Sequence, residues 1–333
     1  MMMDREVIRR FYNDYYLSLD FKIWRDELTR EIYTCLNSNI IFDEVKTVTD
    51  LCDVMSNKQY KGLRLESKKT HSRSTSGVEF DYIGKKAITE LADMAIVSVI
   101  TLDRRIVLLK TAFIQNKKVT YHKKSTSWKI DQRQLFLLKN FPRFNGVSGI
   151  FKGQTITFLN QSNTLGNYGL FSSNGDIIFL TARNTFGNQN ASGSITFDSI
   201  RNAAISATLQ NHYDVCHSRR KCCPDCFEHK YYSTPFSQSN SMPFFNNYNY
   251  ALDAHEVVKE LVYFNVGESS SAFGKIINEN LHRFTGELLR SAFGYSIDDN
   301  HFNRNGGYKD NVVDYSGVSV ILNHLELDKN NNS

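Results

Sequence analysis

The chain has 333 residues, of which 41% are hydrophobic and 13% aromatic, with 23 Phe and 17 Tyr. That apolar content excludes an intrinsically disordered chain and suits one large domain or two ordinary ones. Forty Lys and Arg against 35 Asp and Glu leave a formal charge of +5, which by itself excludes no partner class.

Periodicity predicts helices over roughly the first 60 residues. Val7, Ile8, Phe11, Tyr12, Tyr15 and Tyr16 recur at spacings of three and four, and Ile23, Trp24, Leu28, Ile32 and Leu36 repeat the pattern. Val48, Leu51 and Val54 suggest a third helix. Both aromatic stripes read as core. From Lys61 the period changes, and residues 61–66 and 78–83 read as short strands around a polar loop over 68–76. Residues 93–102 and 105–117 then give the strongest strand signal. They are rich in Ile, Val and Leu at successive positions, as a sheet buried on both faces requires. Asp103-Arg104 is the expected tight turn between them. A helix follows over 131–140, ended by Pro142.

Beyond that point, 154–159, 168–171 and 176–180 are strand-like, a helix is expected near 198–210, and 231–250 reads as a Ser/Asn-rich loop. Helical pattern returns at 253–264 and at 272–293. The second has a stripe of Phe273, Ile276, Ile277, Leu281, Phe284, Leu288 and Leu289. The organisation expected is an N-terminal helical segment (1–60), a core (61–150) and a mixed strand and helix region (151–333). The longest strongly apolar run, Met94 to Leu102, is far short of the roughly 20 residues of a membrane helix. The opening Met-Met-Met-Asp-Arg-Glu lacks the layout of a secretory signal, so no membrane association and a reducing, cytoplasmic setting are expected.

The charge is unevenly placed. Between Arg104 and Pro142 lie Arg104, Arg105, Lys110, Lys117, Lys118, Lys123, Lys124, Lys129, Arg133 and Lys139, opposed only by Asp131. This stretch carries +9, and the remainder of the chain is therefore mildly acidic. Such a local excess points to a polyanion-facing surface. The cysteines are uneven too, because Cys216, Cys222, Cys223 and Cys226 crowd into eleven positions near His217 and His229. In a reducing compartment that spacing suits a structural Zn²⁺ site, with reduced thiols packed in a loop as the alternative.

If the chain reverses at Asp103-Arg104, paired residues sum to about 207 or 208, and Asp93 faces Ile114 or Gln115. Gln115 and Lys117, two apart, share one face of their strand. An acid, an amide and a lysine are thus gathered at one end of an otherwise apolar hairpin. Glu90-Leu91-Ala92-Asp93 followed by Gln115-Asn116-Lys117 resembles the signature of the PD-(D/E)XK nuclease superfamily. In that signature an acid opens one strand and an acid-x-lysine lies on the next. Gln115 stands where the second acid is expected, a Gln-x-Lys form similar to the Mrr-like branch.

The resemblance covers residues 61–144 and implies an α+β protein with a restriction-endonuclease-like mixed sheet flanked by helices. It also implies Mg²⁺-dependent (or Mn²⁺-dependent) hydrolysis of DNA, with restriction or defence as the biological setting. Asp93 and Gln115 would be metal ligands, Lys117 the catalytic lysine and Glu90 an auxiliary acid, with Glu66 or Glu79 as other donors. Gln134 on the next helix is a further polar contact, and His71 a loop residue able to reach the site. Lys118, Lys123, Lys124 and Lys129 would hold the phosphate backbone, and cutting both strands of a duplex would favour a homodimer. Two other readings are a non-catalytic nucleic-acid-binding protein, favoured by Gln115, and a zinc-stabilised interaction protein built on the cysteines.

Overall fold

The computed structural model describes residues 2–69, 76–119, 127–159, 163–186, 193–201, 250–298, 301–304 and 318–328. Helix α1 (Met2–Phe11) runs into a π-helical turn at Tyr12–Tyr16. Helices α2 (Leu19–Ser38) and α3 (Glu44–Met55) start at Ser18 and Asp43, whose side chains accept from Phe21 N and Lys46 N and so satisfy otherwise orphaned amides. The inward stripe of α2 begins at Phe21, which is buried, while Ile23 is 48% exposed. This corrects the expected stripe.

The strands, in chain order, are β1 (Lys58–Tyr60), β2 (Leu63–Lys68), β3 (Gly77–Tyr82), β4 (Lys85–Glu90), β5 (Met94–Leu102), β6 (Arg105–Lys118) and β7 (Ser127–Lys129). Helix α4 (Gln132–Asn140) leads to β8 (Phe144–Gly146), β9 (Thr155–Ile156), β10 (Gly166–Phe171) and β11 (Ile177–Thr181). Then come α5 (Ala182–Phe186), β12 (Ser194–Thr196), β13 (Tyr250–Ala251), α6 (Ala254–Val262), β14 (Glu268–Ala272) and β15 (Lys275–Ile276). Helix α7 (Glu279–Phe293), β16 (Tyr295–Asp298), β17 (His301–Arg304) and β18 (Ser319–Leu327) complete the set.

The fold is α+β, built on a mixed sheet in the order β1-β2-β18-β5-β6-β10-β11-β13. β18 lies parallel to β5 and antiparallel to β2, so a strand from near the C-terminus sits between two strands of the 61–150 segment. β5 and β6 form the central antiparallel hairpin. Partners sum to 208 from Met94↔Ile114 to Ile100↔Leu108, then to 207 at Thr101↔Ile106 and Leu102↔Arg105. A bulge at Val107 makes the difference, since it sets one extra residue against the partner strand. Asp103 and Arg104 both take positive φ (50° and 65°), the backbone of a tight primed hairpin turn.

Both faces of this hairpin are covered. Ala95, Val97, Val99, Leu109 and Phe113 pack with Leu135 and Leu138 of α4 and Phe284 and Leu288 of α7. Met94, Ile96, Ile100, Ala112 and Ile114 pack on the other side with residues of α2, α3 and α6, among them Leu36, Leu51 and Val258. The near-continuous apolar runs follow directly from this two-sided burial.

Two expectations are corrected here. Residues 272–293 are not one helix. Phe273 and Gly274, both at positive φ, turn the chain between β14 and β15. The helix starts only after Asn278, whose Oδ1 caps Leu281 N at 3.2 Å. Lys110, counted with the basic stretch, is fully buried inside the sheet. Burial pushes its ammonium down to about 7, with Glu268 and Glu260 as the opposing charges.

Candidate functional site

Asp93 ends the turn between β4 and β5, directly before β5, and its own amide donates to Ile114 O at 3.1 Å. Continuing the 208 register sets it opposite Gln115 on β6. Gln115 Nε2 donates to Asp93 Oδ2 at 2.6 Å, and the Asn116 amide donates to the same oxygen at 2.6 Å. Gln134 Nε2 donates in turn to Gln115 Oε1. Gln134 is held by the start of α4, where Asp131 Oδ1 accepts from the amides of Arg133 (2.9 Å) and Gln134 (3.1 Å). A helix cap thus fixes a side chain that fixes the Gln115 amide.

Lys117, two residues along β6, brings its ammonium to 3.8 Å from Glu44 Oε1. Glu44 is the first residue of α3, and the Lys118 amide also donates to its carboxylate. Sequence reasoning missed Glu44. It lies 49 positions before Asp93, and no local pattern reports that the start of α3 meets the end of β6. The tether between them is Lys118, whose Nζ donates to Asn39 O, to Phe42 O at 2.8 Å and to Thr47 Oγ1 at 2.9 Å. Half-buried Lys118 therefore clamps the α2–α3 connection, a role other than the phosphate contact expected of it.

Three carboxyl groups, those of Glu44, Glu90 and Asp93, feel the charge of the Lys117 ammonium. Burial pushes Glu90, at the end of β4, up to about 7, and the neighbouring charges of Asp93 and Glu44 add to that while Lys117 opposes it. Glu44 is also pushed up to about 7, by burial first, with Lys117 opposing and Asp93 adding. Asp93 is raised by burial against the pull of the Asn116 amide, Lys117 and Gln115, and it shares a hydrogen bond with Glu90. Burial and the neighbouring Asp93 charge thus disfavour holding Glu90 and Asp93 ionised together.

Two buried polar groups adjoin the site. Tyr168 on β10 pairs with Gln115 across the parallel ladder, and its buried hydroxyl makes no hydrogen bond among the described residues. Asn116 faces Gly169, where a Cβ would come within 2.3 Å of Asn116 Oδ1. Glycine there leaves the space the Asn116 side chain occupies.

The other expected donors are elsewhere. Glu66 accepts from Tyr295 at 2.9 Å, and Glu79 lies 3.8 Å from Lys86. Lys129 is exposed on β7. Lys123, Lys124, His71, His217 and His229 lie outside the described residues, as do Cys216, Cys222, Cys223 and Cys226. Among the described residues, no three His, Cys, Asp or Glu side chains stand in a metal-holding arrangement, and no helix is long and apolar enough to cross a membrane. No protein-family model, curated protein or solved structure matches this chain.

Proposed function

We propose that this chain is a divalent-metal-dependent phosphodiester hydrolase acting on nucleic acid, DNA first among its substrates. The observation that carries the reading is the 2.6 Å contact between Asp93 and Gln115 at the mouth of the β5–β6 hairpin, with Lys117 two residues further along β6. The order strand, strand, α4 and then β10 parallel to β6 agrees with the PD-(D/E)XK resemblance that the motif suggested.

The donor chemistry fits Mg²⁺ or Mn²⁺, hard cations that prefer carboxylate and amide oxygens. The charge of Asp93 raises the carboxyl pKa values of Glu90 and Glu44, and that of Glu44 raises Glu90 further, so a bound cation would offset their repulsion. Asp93 and Glu90 would hold the ion, joined by Gln115 Oε1 once that amide turns from Gln134. When bound, the metal supplies positive charge to the phosphate oxygens and makes a coordinated water more acidic. Lys117 sets its ammonium where charge develops on the phosphate, and Glu44 keeps that ammonium in place. Exposed Lys129 offers a contact to the flanking backbone. Restriction or defence is the biological setting the resemblance suggests.

One observation favours a second reading, a nucleic-acid-binding protein that does not cut. Gln115 turns its nitrogen to Asp93 and its oxygen to Gln134, which occupies both ends of the amide. Plasmid DNA incubated with wild type, Asp93→Ala and Lys117→Ala in Mg²⁺ or Mn²⁺ separates the two. Cleavage by wild type alone supports the hydrolase. Binding without cleavage by any of the three supports the second reading.

A further inference from the structure

A cavity of about 240 Å³ lies on the α4–α7 side of the sheet, apart from the Asp93 residues. Three elements wall it. Arg143 comes from the approach to β8, Gln154 and Thr157 from either side of β9, and Asn280, Arg283 and Glu287 from one face of α7. The i, i+3, i+7 spacing of the last three aligns them along the helix.

The walls are tied together. Asn280 Nδ2 donates to Thr157 O at 2.9 Å, and Gln154 Nε2 donates to Glu287 Oε2 at 3.2 Å. The one acid in the cavity is thus occupied by a neutral amide. The two guanidinium groups are not occupied. Among the described residues neither the Arg143 nor the Arg283 guanidinium makes a hydrogen bond or an ion pair. Two partnerless cations facing one concave surface focus positive potential into it. The planar guanidinium fork matches the oxygen spacing of a phosphate, and two forks suit a dianion with three free oxygens.

We propose that this cavity binds a phosphomonoester dianion between Arg143 and Arg283. The carrier is either a small phosphorylated molecule or the phosphorylated end of a nucleic acid, for which the recognition chemistry is the same. The assignment does not depend on the hydrolase reading, because it uses none of the Asp93, Glu90 or Lys117 chemistry.

Thermal unfolding of the full chain tests it, with inorganic phosphate, adenosine 5′-monophosphate, and one oligonucleotide with and without a 5′-phosphate. Chloride at matched ionic strength is the control. Both monophosphates should raise the Tm at about 10 mM, and Arg143→Gln and Arg283→Gln should each weaken that response roughly tenfold or more. Both arginines are exposed and partnerless, so the unliganded Tm of the variants should stay within about 1 °C of wild type. A 5′-phosphorylated oligonucleotide bound more than about tenfold tighter than the monophosphate and its unphosphorylated twin would assign a nucleic-acid end; equal affinities would assign a small molecule. A shift matched by chloride, or retained in full by the Arg143→Gln/Arg283→Gln double variant, overturns the proposal. Should a variant fail to fold, phosphate line broadening in ³¹P spectra of wild type, lost on adding excess sulfate, gives the same decision; absence of broadening rejects the site.

Discussion

Gln115 and Asp93 are joined across the central hairpin by a 2.6 Å hydrogen bond in which the amide donates to the carboxylate. Its partner bond from Gln134 makes the amide a neutral bridge between the α4 cap and the acid at the head of β5. A carboxylate at position 115 would still accept from Gln134 but would repel Asp93 where the amide donates to it. Gln115→Glu should therefore lower stability without metal by about 1–3 kcal/mol, since it buries a further like charge. The same change should tighten Mn²⁺ binding by at least roughly tenfold. Denaturant unfolding and metal titration by calorimetry measure the two effects, and unchanged metal affinity would remove the acids from the site.

Gly169 gives a purely steric test. With a Cβ only 2.3 Å from Asn116 Oδ1, Gly169→Ala forces the Asn116 side chain out of its buried position. A cost of about 1–3 kcal/mol is expected, as for other overpacked cores. Because the Asn116 amide holds Asp93 Oδ2, the Asp93 environment should change as well. A urea melt indistinguishable from wild type would mean that the strand gives way at no cost.

Lys118 distinguishes an anchor from a nucleic-acid contact. Lys118→Met keeps the stem and removes three hydrogen bonds to Asn39, Phe42 and Thr47. Amide exchange should quicken in the α2–α3 connection and the first turn of α3, with a loss of about 1–3 kcal/mol. The salt dependence of DNA binding should be unchanged, because a phosphate contact would reduce its slope by about one. A reduced slope with native exchange rates would restore the phosphate role.

His324 predicts acid sensitivity. It is buried on β18 with Nε2 3.0 Å from Thr101 Oγ1, and burial pushes it down to about 4, helped by Arg64. The unfolded chain takes up this proton near pH 6.5 and the folded chain only near 4, so the unfolded state binds more protons in between. Stability should fall as pH drops through that window, by on the order of 3 kcal/mol from this group. His324→Gln should flatten that part of the pH–stability curve. An equally steep fall in the variant would assign it to other groups.

The central hairpin was legible because its information is local. A β-branched apolar run, a two-residue turn and a second run fix which residues pair, and a single bulge separates the two candidate sums. Asp93, Gln115 and Lys117 could be placed together for that reason, and Gln134 followed from the helix behind Asp131. Glu44 was not legible, because its approach depends on how α3 docks against the far end of β6. The exposed–buried distinction failed similarly at Lys110. A lysine in a charge count looks the same whether its ammonium faces water or the interior, and only the strands or helices packed over it decide.

The sequence by itself determined a chain with an α+β pattern of elements, a buried hairpin whose register was narrowed to two neighbouring sums, and an acid, an amide and a lysine at its mouth. Turn chemistry and side-chain alternation act over a few residues, so they can be read from neighbours in the chain. Only the tertiary structure decided that β18 lies beside β5, that Glu44 joins Lys117, and that one part of the +9 stretch is internal. It also brought Arg143 to the same cavity as Arg283, 140 positions away. Those contacts are selected by packing between distant elements, where the free energy depends on the shape of both surfaces and on the water they exclude.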